Sequence, residues 1–125
     1  MKNITISTTK NKQVIDITDD VNKELPEGDG VVVLLLQHTT AALTTADLDP
    51  GTDLDMLDAI EAIAPDLDYR HPHNPAHAPD HIMSSIIGTN LSLPYRNGKL
   101  ILGTWQRVVL IELDGPRDRN IIIES

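Results

Sequence analysis

The residues best suited to chemistry crowd into one stretch. Between Tyr69 and His81 stand four of the chain's five histidines, His71, His73, His77 and His81, separated by Pro72, Pro75 and Pro79. Each proline fixes its own φ and turns the residue before it away from helical geometry, so the segment is predicted to stay extended until about Asp80. Imidazole changes charge near neutral pH, binds metal ions and relays protons. A stiff loop loaded with imidazoles reads as a site, with a solvated polar loop as the plain alternative. The fifth histidine, His38, follows the apolar run at 31–36, at the end of a predicted strand, where a rigid scaffold can present a functional group. If His38 and histidines of this loop meet in one hollow, a set of neutral imidazoles would suit Zn²⁺ or another borderline divalent metal, with a position open for water or a substrate oxygen. Their spacing matches no short metal motif, so this reading depends on the fold to bring them together.

The chain that must do so has 125 residues, enough for a single domain, 1–125, with a core of its own. It contains no cysteine, which rules out disulfides, thiolate metal sites and a cysteine nucleophile. A net charge of −9 repels phosphate backbones and anionic bilayers, so neither nucleic acid nor membrane is an expected partner. An anionic small molecule would have to be met by a local cluster of cations. The longest apolar run is too short to span a bilayer, and the start at Met1, Lys2 and Asn3 does not read as a signal peptide. A cytoplasmic protein is the expectation.

Residues 4–8 alternate apolar and polar, predicting a strand, and 13–17 predict a second, paired with the first across a polar turn at 10–12. Thr18, Asp19 and Asp20 offer caps for a short helix carrying Val21 and Leu25 on one face. The continuous apolar run at 31–36 predicts a strand covered on both faces, delivering residues 37–42 at its far end. After Asp49, Pro50 and Gly51 a helix is predicted to about Ala64, with Met56, Leu57, Ile60, Ile63 and Ala64 in one stripe. A second helix runs from about Asp80 to Ile87, with Ile82, Met83, Ile86 and Ile87 inward, His81 in its first turn and Gly88 as its cap. Asn97-Gly98 marks a hairpin between 91–95 and 99–102. A strand over 105–113, a turn at 114–117 and a terminal strand at 121–123 complete an α+β domain with a largely antiparallel sheet and two main helices.

Several blocks of this chain carry a resemblance. They are Gln37-His38-Thr39-Thr40-Ala41-Ala42-Leu43, Asp49-Pro50-Gly51, Tyr69 with His71, His81-Ile82, Gly103-Thr104-Trp105-Gln106 and Asp114-Gly115-Pro116-Arg117. In that order, and over nearly the whole chain, they resemble the YjbQ-like family, an uncharacterised protein family also described as secondary thiamine-phosphate synthases. The resemblance implies an α+β sandwich of largely antiparallel sheet, assembled as a homotrimer, with a polar pocket lined by histidines and acidic residues. It also implies a weak activity joining the pyrimidine and thiazole halves of thiamine phosphate. The family's histidine positions fall on His38, His71 and His81, its Trp-Gln pair on Trp105 and Gln106, and its Asp-Gly-Pro-Arg block on Asp114 and Arg117. Two departures stand out: His77 occupies a position where the family usually has asparagine, and Asp47 one where it usually has glutamate.

Thiamine-phosphate synthesis displaces diphosphate from a pyrimidine methylene by a thiazole nitrogen and needs cations around the departing group. Arg117, Arg119, a protonated histidine or the amino end of the helix near Asp80 could supply them, and Asp47, Asp49 and Asp114 are candidate Mg²⁺ ligands. Thr39 and Thr40 could hydrogen-bond phosphate oxygens. Trp105 could stack on a heteroaromatic ring, with the core as its alternative place. Three functions stay open: such a transferase acting through His38, Asp47, His71 and His81; a hydrolase or phosphatase whose His38, His71 and His81 hold a water-activating metal; and a non-catalytic trimeric module that captures an anionic metabolite.

Overall fold

The computed structural model describes all of residues 1–125. Its strands are β1 (Lys2–Ser7), β2 (Gln13–Asp16), β3 (Gly30–Leu36), β4 (Ala41–Ala46), β5 (Asn90–Arg96), β6 (Lys99–Leu100), β7 (Arg107–Glu112) and β8 (Asp118–Glu124). Its helices are α1 (Thr18–Asn22), α2 (Thr52–Ile63) and α3 (Ala78–Ile87), the last preceded by a 3₁₀ turn at Pro75–His77. All strand pairs are antiparallel. One sheet has the order β1-β8-β3-β5-β6 and the other β2-β7-β4.

Apolar side chains at every second position place the core between the sheets. Val32, Leu34 and Leu36 of β3 and Ile121 and Ile123 of β8 pack in one cluster with Leu43 of β4 and Val108 and Leu110 of β7. The opposite face of the smaller sheet carries Ala42, Val109 and Ile111, which pack with Met56, Leu57 and Ile60 of α2 and Met83 and Ile87 of α3. The result is three layers, large sheet, small sheet, then α2 and α3, while α1 adds Val21 to the core between the sheets.

Three expectations change. The strands β1 and β2 do not form a hairpin; β1 pairs with β8 and β2 with β7. Residues 8–12 cross between the sheets beside residues 113–117, which make the reverse crossing. Thr8 N–H donates to Arg117 O at 3.0 Å and Gly115 N–H to Asn11 O at 3.0 Å. The crossing prevails because it lets Ile4, Ile6 and Ile15 pack on the shared core, whereas a lone hairpin buries little. The second change concerns β3, which is covered on one face only: Val31 is 58% exposed, and Val33 and Leu35 are each 42% exposed. The strand sandwiched on both faces is β7, buried throughout 108–112. The third is β4, a strand that the sequence pattern does not assign, because its Ala-Ala-Leu half lacks the β-branched and aromatic residues that mark strands and only Thr44 and Thr45 carry that signal. Small side chains suit it because α3 lies close, with Ser84 Oγ donating to Ala41 O at 2.6 Å.

Other features follow the sequence more closely. The stripe of α2 holds Met56, Leu57, Ile60 and Ala64, although Ile63 turns outward, as does Ile86 of α3. Helix α3 starts at Ala78, two positions before the predicted start, because Pro79 in its first turn sacrifices no intrahelical donor. Gly88, at φ 110°, ends it. Asn97 and Gly98, at φ 52° and 73°, turn β5 into β6 as predicted. No helix is long and apolar enough to cross a membrane.

Candidate functional site

Where the two crossing segments meet the end of β3, a hollow of about 340 Å³ opens. It is lined by Gln37, His38, Thr39, Thr40, His81, Asp114, Arg117 and Arg119, and none of these is hydrophobic.

A buried ion pair stands beneath it. Alternation along β7 and β8 turns Glu112 and Arg119 into the space between the sheets, where they are 0% and 1% exposed. Arg119 Nε donates to Glu112 Oε1 at 2.8 Å and Arg119 Nη2 to Glu112 Oε2, a two-point pairing. Nη2 also donates to Thr40 Oγ1 at 2.9 Å and Thr40 O at 3.1 Å. Glu112 is further satisfied by Thr8 Oγ1 at 2.7 Å and by Asp114 N–H at 3.1 Å. Burial alone would raise the Glu112 carboxyl, but the bonds from Arg119, Thr8 and the Asp114 backbone outweigh it and hold the group below its ordinary 4.5. The pair thus ties Thr40, at one wall of the hollow, to the crossing that carries Asp114 and Arg117.

His38 is half-buried, and its Nε2 accepts the backbone N–H of Asn120 at 2.9 Å. A neutral ring that accepts at Nε2 carries its proton on Nδ1, which is then a donor. Burial, then the charges of Arg119 and Arg117, keep the imidazole below its ordinary 6.5 against the opposing pull of Glu112. The unfolded chain therefore binds this proton first: the contribution to stability is present above about pH 6.5 and is lost as pH falls toward the depressed native value. Protonation would also set a second donor against Asn120 N–H. Lowering the pH from about 7 to about 5.5 should therefore reduce the Tm of the native protein more than that of His38→Gln, which has no titrating group there. Parallel slopes for the two proteins would contradict this.

His81 reaches the hollow from the first turn of α3. The ring of His71 lies against it, centroids 4.6 Å apart at 48°, without itself lining the hollow, and His73 stands a further 6.0 Å from His71. Arg117 is held by its own turn, Nε donating to Asp114 O at 2.8 Å and Nη2 to Asp114 Oδ2 at 3.1 Å. The fold thus gathers His38, Thr39, Thr40, His81, Asp114, Arg117 and Arg119, with the ring of His71 against that of His81, and adds Gln37. Within one chain His38, His71 and His81 do not converge as a metal set; the group of three ligand atoms that does is His77, Asp80 and Asp114.

Asp47, Asp49, Trp105 and Gln106 lie elsewhere. Ala41 pairs with Glu112 at the hollow's end of the small sheet and Ala46 with Arg107 at the other, a span of about 17 Å for a six-residue strand. At that far end Gln106 Nε2 donates to Thr45 Oγ1 at 2.9 Å, and Trp105 is 72% exposed, so it is neither core nor part of its own chain's hollow. A larger groove of about 650 Å³ runs between α2 and α3 over Leu57, Ile60, Met83 and Leu113. Its floor is apolar and it holds none of the gathered histidines or arginines, so the smaller hollow is the candidate site.

An antiparallel two-sheet α+β fold with helices on one face and a polar, histidine- and arginine-lined hollow at the sheet crossing is the class that these features define. The chain belongs to the YjbQ-like family: the family described as "UPF0047 protein YjbQ-like" matches residues 2–125. A UPF0047 protein of Archaeoglobus fulgidus is 36% identical over 123 residues, 98% of each chain. The UPF0047 protein YugU of Bacillus subtilis is 35% identical over 128 residues, covering 99% of this chain and 97% of its own. Among solved structures, the conserved hypothetical protein TT1486 of Thermus thermophilus superposes with a TM-score of 0.90 at 31% identity, over 99% of this chain and 98% of its own. An uncharacterised YjbQ/UPF0047 protein of Clostridium acetobutylicum gives 0.88 at 35% identity, over 99% and 98%. The expected family and fold are both met.

Proposed function

We propose that the hollow binds a phosphorylated small molecule and that the chain acts as a secondary thiamine-phosphate synthase, joining phosphorylated pyrimidine and thiazole units with release of diphosphate. One observation carries this reading: a lining without apolar side chains that includes the half-exposed Arg117 guanidinium and a histidine whose free ring nitrogen is a donor, with its one carboxylate, Asp114, already paired to Arg117. Such groups suit the spread negative charge of phosphate oxygens. In the reaction the thiazole nitrogen attacks the pyrimidine methylene carbon, the carbon–oxygen bond breaks, and diphosphate leaves with the electron pair. Donors waiting where that charge develops lower the barrier. Arg117 and His38 Nδ1–H are the donors for that charge, aided by the Thr39 hydroxyl, with His81 and His71 as the further imidazoles. A metal-dependent hydrolase built on His38, His71 and His81 fits less well, because a backbone donor occupies His38 Nε2 and its Nδ1 carries the proton. Purified protein supplied with both phosphorylated halves should form thiamine phosphate, and His38→Ala should slow it by roughly tenfold or more. Absence of product, or an equal rate in the variant, would overturn the reading.

The homotrimer belongs to the same proposal. Val31, Val33 and Leu35 stand in the open on the outer face of the large sheet, beside Pro94 and Ile122 on the paired strands. A contiguous apolar surface on a small chain marks a place of association. The exposed Trp105, with Gln106 and Asp47, then offers a neighbouring copy the aromatic face that the hollow lacks. Light scattering at micromolar concentration should give three times the chain mass for the native protein and a single chain mass for Val33→Lys. A monomeric native protein would contradict the assembly.

A further inference from the structure

Beside the hollow, three potential metal ligands converge. His77, Asp80 and Asp114 each present one ligand atom within 4.8 Å of the other two. His77 Nδ1 lies 3.3 Å from Asp80 Oδ2 and 3.5 Å from Asp114 Oδ1. The first is a hydrogen bond at the long end of its range, and the second is longer than that range. Both also match a different geometry: zinc–ligand bonds of about 2.1 Å at tetrahedral angles set neighbouring donor atoms about 3.4 Å apart. The other oxygen of each carboxylate is already engaged, Asp80 Oδ1 by Lys12 Nζ at 2.6 Å and Asp114 Oδ2 by Arg117 Nη2 at 3.1 Å. These two bonds turn the remaining oxygens toward His77, the outer support by which metal sites orient their carboxylates. They also balance the two carboxylate charges, so coordination rather than bulk attraction must supply the affinity.

We propose that His77, Asp80 and Asp114 form a zinc-class metal site, using Nδ1 and two carboxylate oxygens and leaving the fourth position to water or an incoming ligand. The imidazole sets the class, since magnesium and calcium take oxygen ligands. Access is open, with the His77 side chain 41% exposed and those of Asp80 and Asp114 14% and 17%. Asp114 also lines the hollow, so a bound ion stands at its rim. The site rests on ligand geometry and is independent of what the hollow binds.

Calorimetric titration of tag-free protein with Zn²⁺ alone tests it. The native chain should bind one ion saturably, with Mg²⁺ giving no comparable binding. His77→Asn and Asp80→Asn should each weaken Zn²⁺ at least about tenfold, the loss that even an outer partner causes, and His73→Ala should leave it unchanged. Unaltered circular dichroism in His77→Asn separates lost ligation from lost folding. Absence of saturable binding, equal affinity in His77→Asn, or Mg²⁺ bound as tightly as Zn²⁺ would overturn the proposal.

Discussion

Replacing Glu112 by glutamine should remove about 3–5 kcal/mol of folding stability, the cost of leaving one partner of a buried ion pair without its counter-charge. The substitution keeps the size and one acceptor of the side chain, so packing changes little. What it removes is the negative charge that faces Arg119, a guanidinium 1% exposed. Domains of this size are stable by only about 5–15 kcal/mol, so the loss is a large fraction of the whole. Urea unfolding should show a lower midpoint with an unchanged slope. Adding Arg119→Met should recover part of the loss, because the buried cation that lost its counter-charge is then gone. Acid reports the same group: the carboxyl lies below 4.5 in the folded chain, so its stabilisation is present above that value and disappears as pH falls through the native one. Glu112→Gln should flatten that part of the acid limb. A loss under about 1 kcal/mol would mean that water or another anion compensates Arg119.

The second large effect concerns binding. Arg117→Ala should weaken inorganic diphosphate by roughly 10- to 100-fold, the equivalent of one charge-assisted hydrogen bond of about 1.5–3 kcal/mol. It also leaves Asp114 facing the ligand without its cation, which adds repulsion. Stability should barely move, because the Arg117 side chain is 50% exposed and its pairing with Asp114 is a surface ion pair. Arg117→Lys should recover only part of the affinity, since an ammonium lacks the two-point fork of a guanidinium. Calorimetry at fixed salt measures each step. Unchanged affinity in Arg117→Ala would remove this residue from the site.

Much of the framework is legible in the residues. Asn97-Gly98, Gly88 and the stripe of α2 act through local backbone and periodicity rules, and they appear where those rules put them. The failures are non-local. Nothing in residues 4–17 says that the polar turn between the first two strands is a crossing between sheets rather than a hairpin. The apolar run at 31–36 signals a central strand, but whether a second layer covers it depends on chains or helices the run itself does not encode. Along β7 and β8, Val108-Leu110-Glu112 and Arg119-Ile121-Ile123 place opposite charges on core-facing positions, and that alternation was the available sign of the buried pair. The histidines divide in the same way. His38 and His81 meet because a strand end and a helix start do, whereas Trp105 and Asp47, adjacent in motif logic, sit at the far end of a strand pair.

The central claim is that a phosphate-bearing ligand occupies the apolar-free hollow. The most direct measurement is nitrogen-15 NMR of the native protein titrated with inorganic diphosphate, following the imidazole and guanidinium resonances. Saturable shifts at His38, His81 and Arg117, with the Nδ1–H form of neutral His38 retained, are predicted. No saturable shift at these residues, or shifts centred on the groove between α2 and α3, would contradict it.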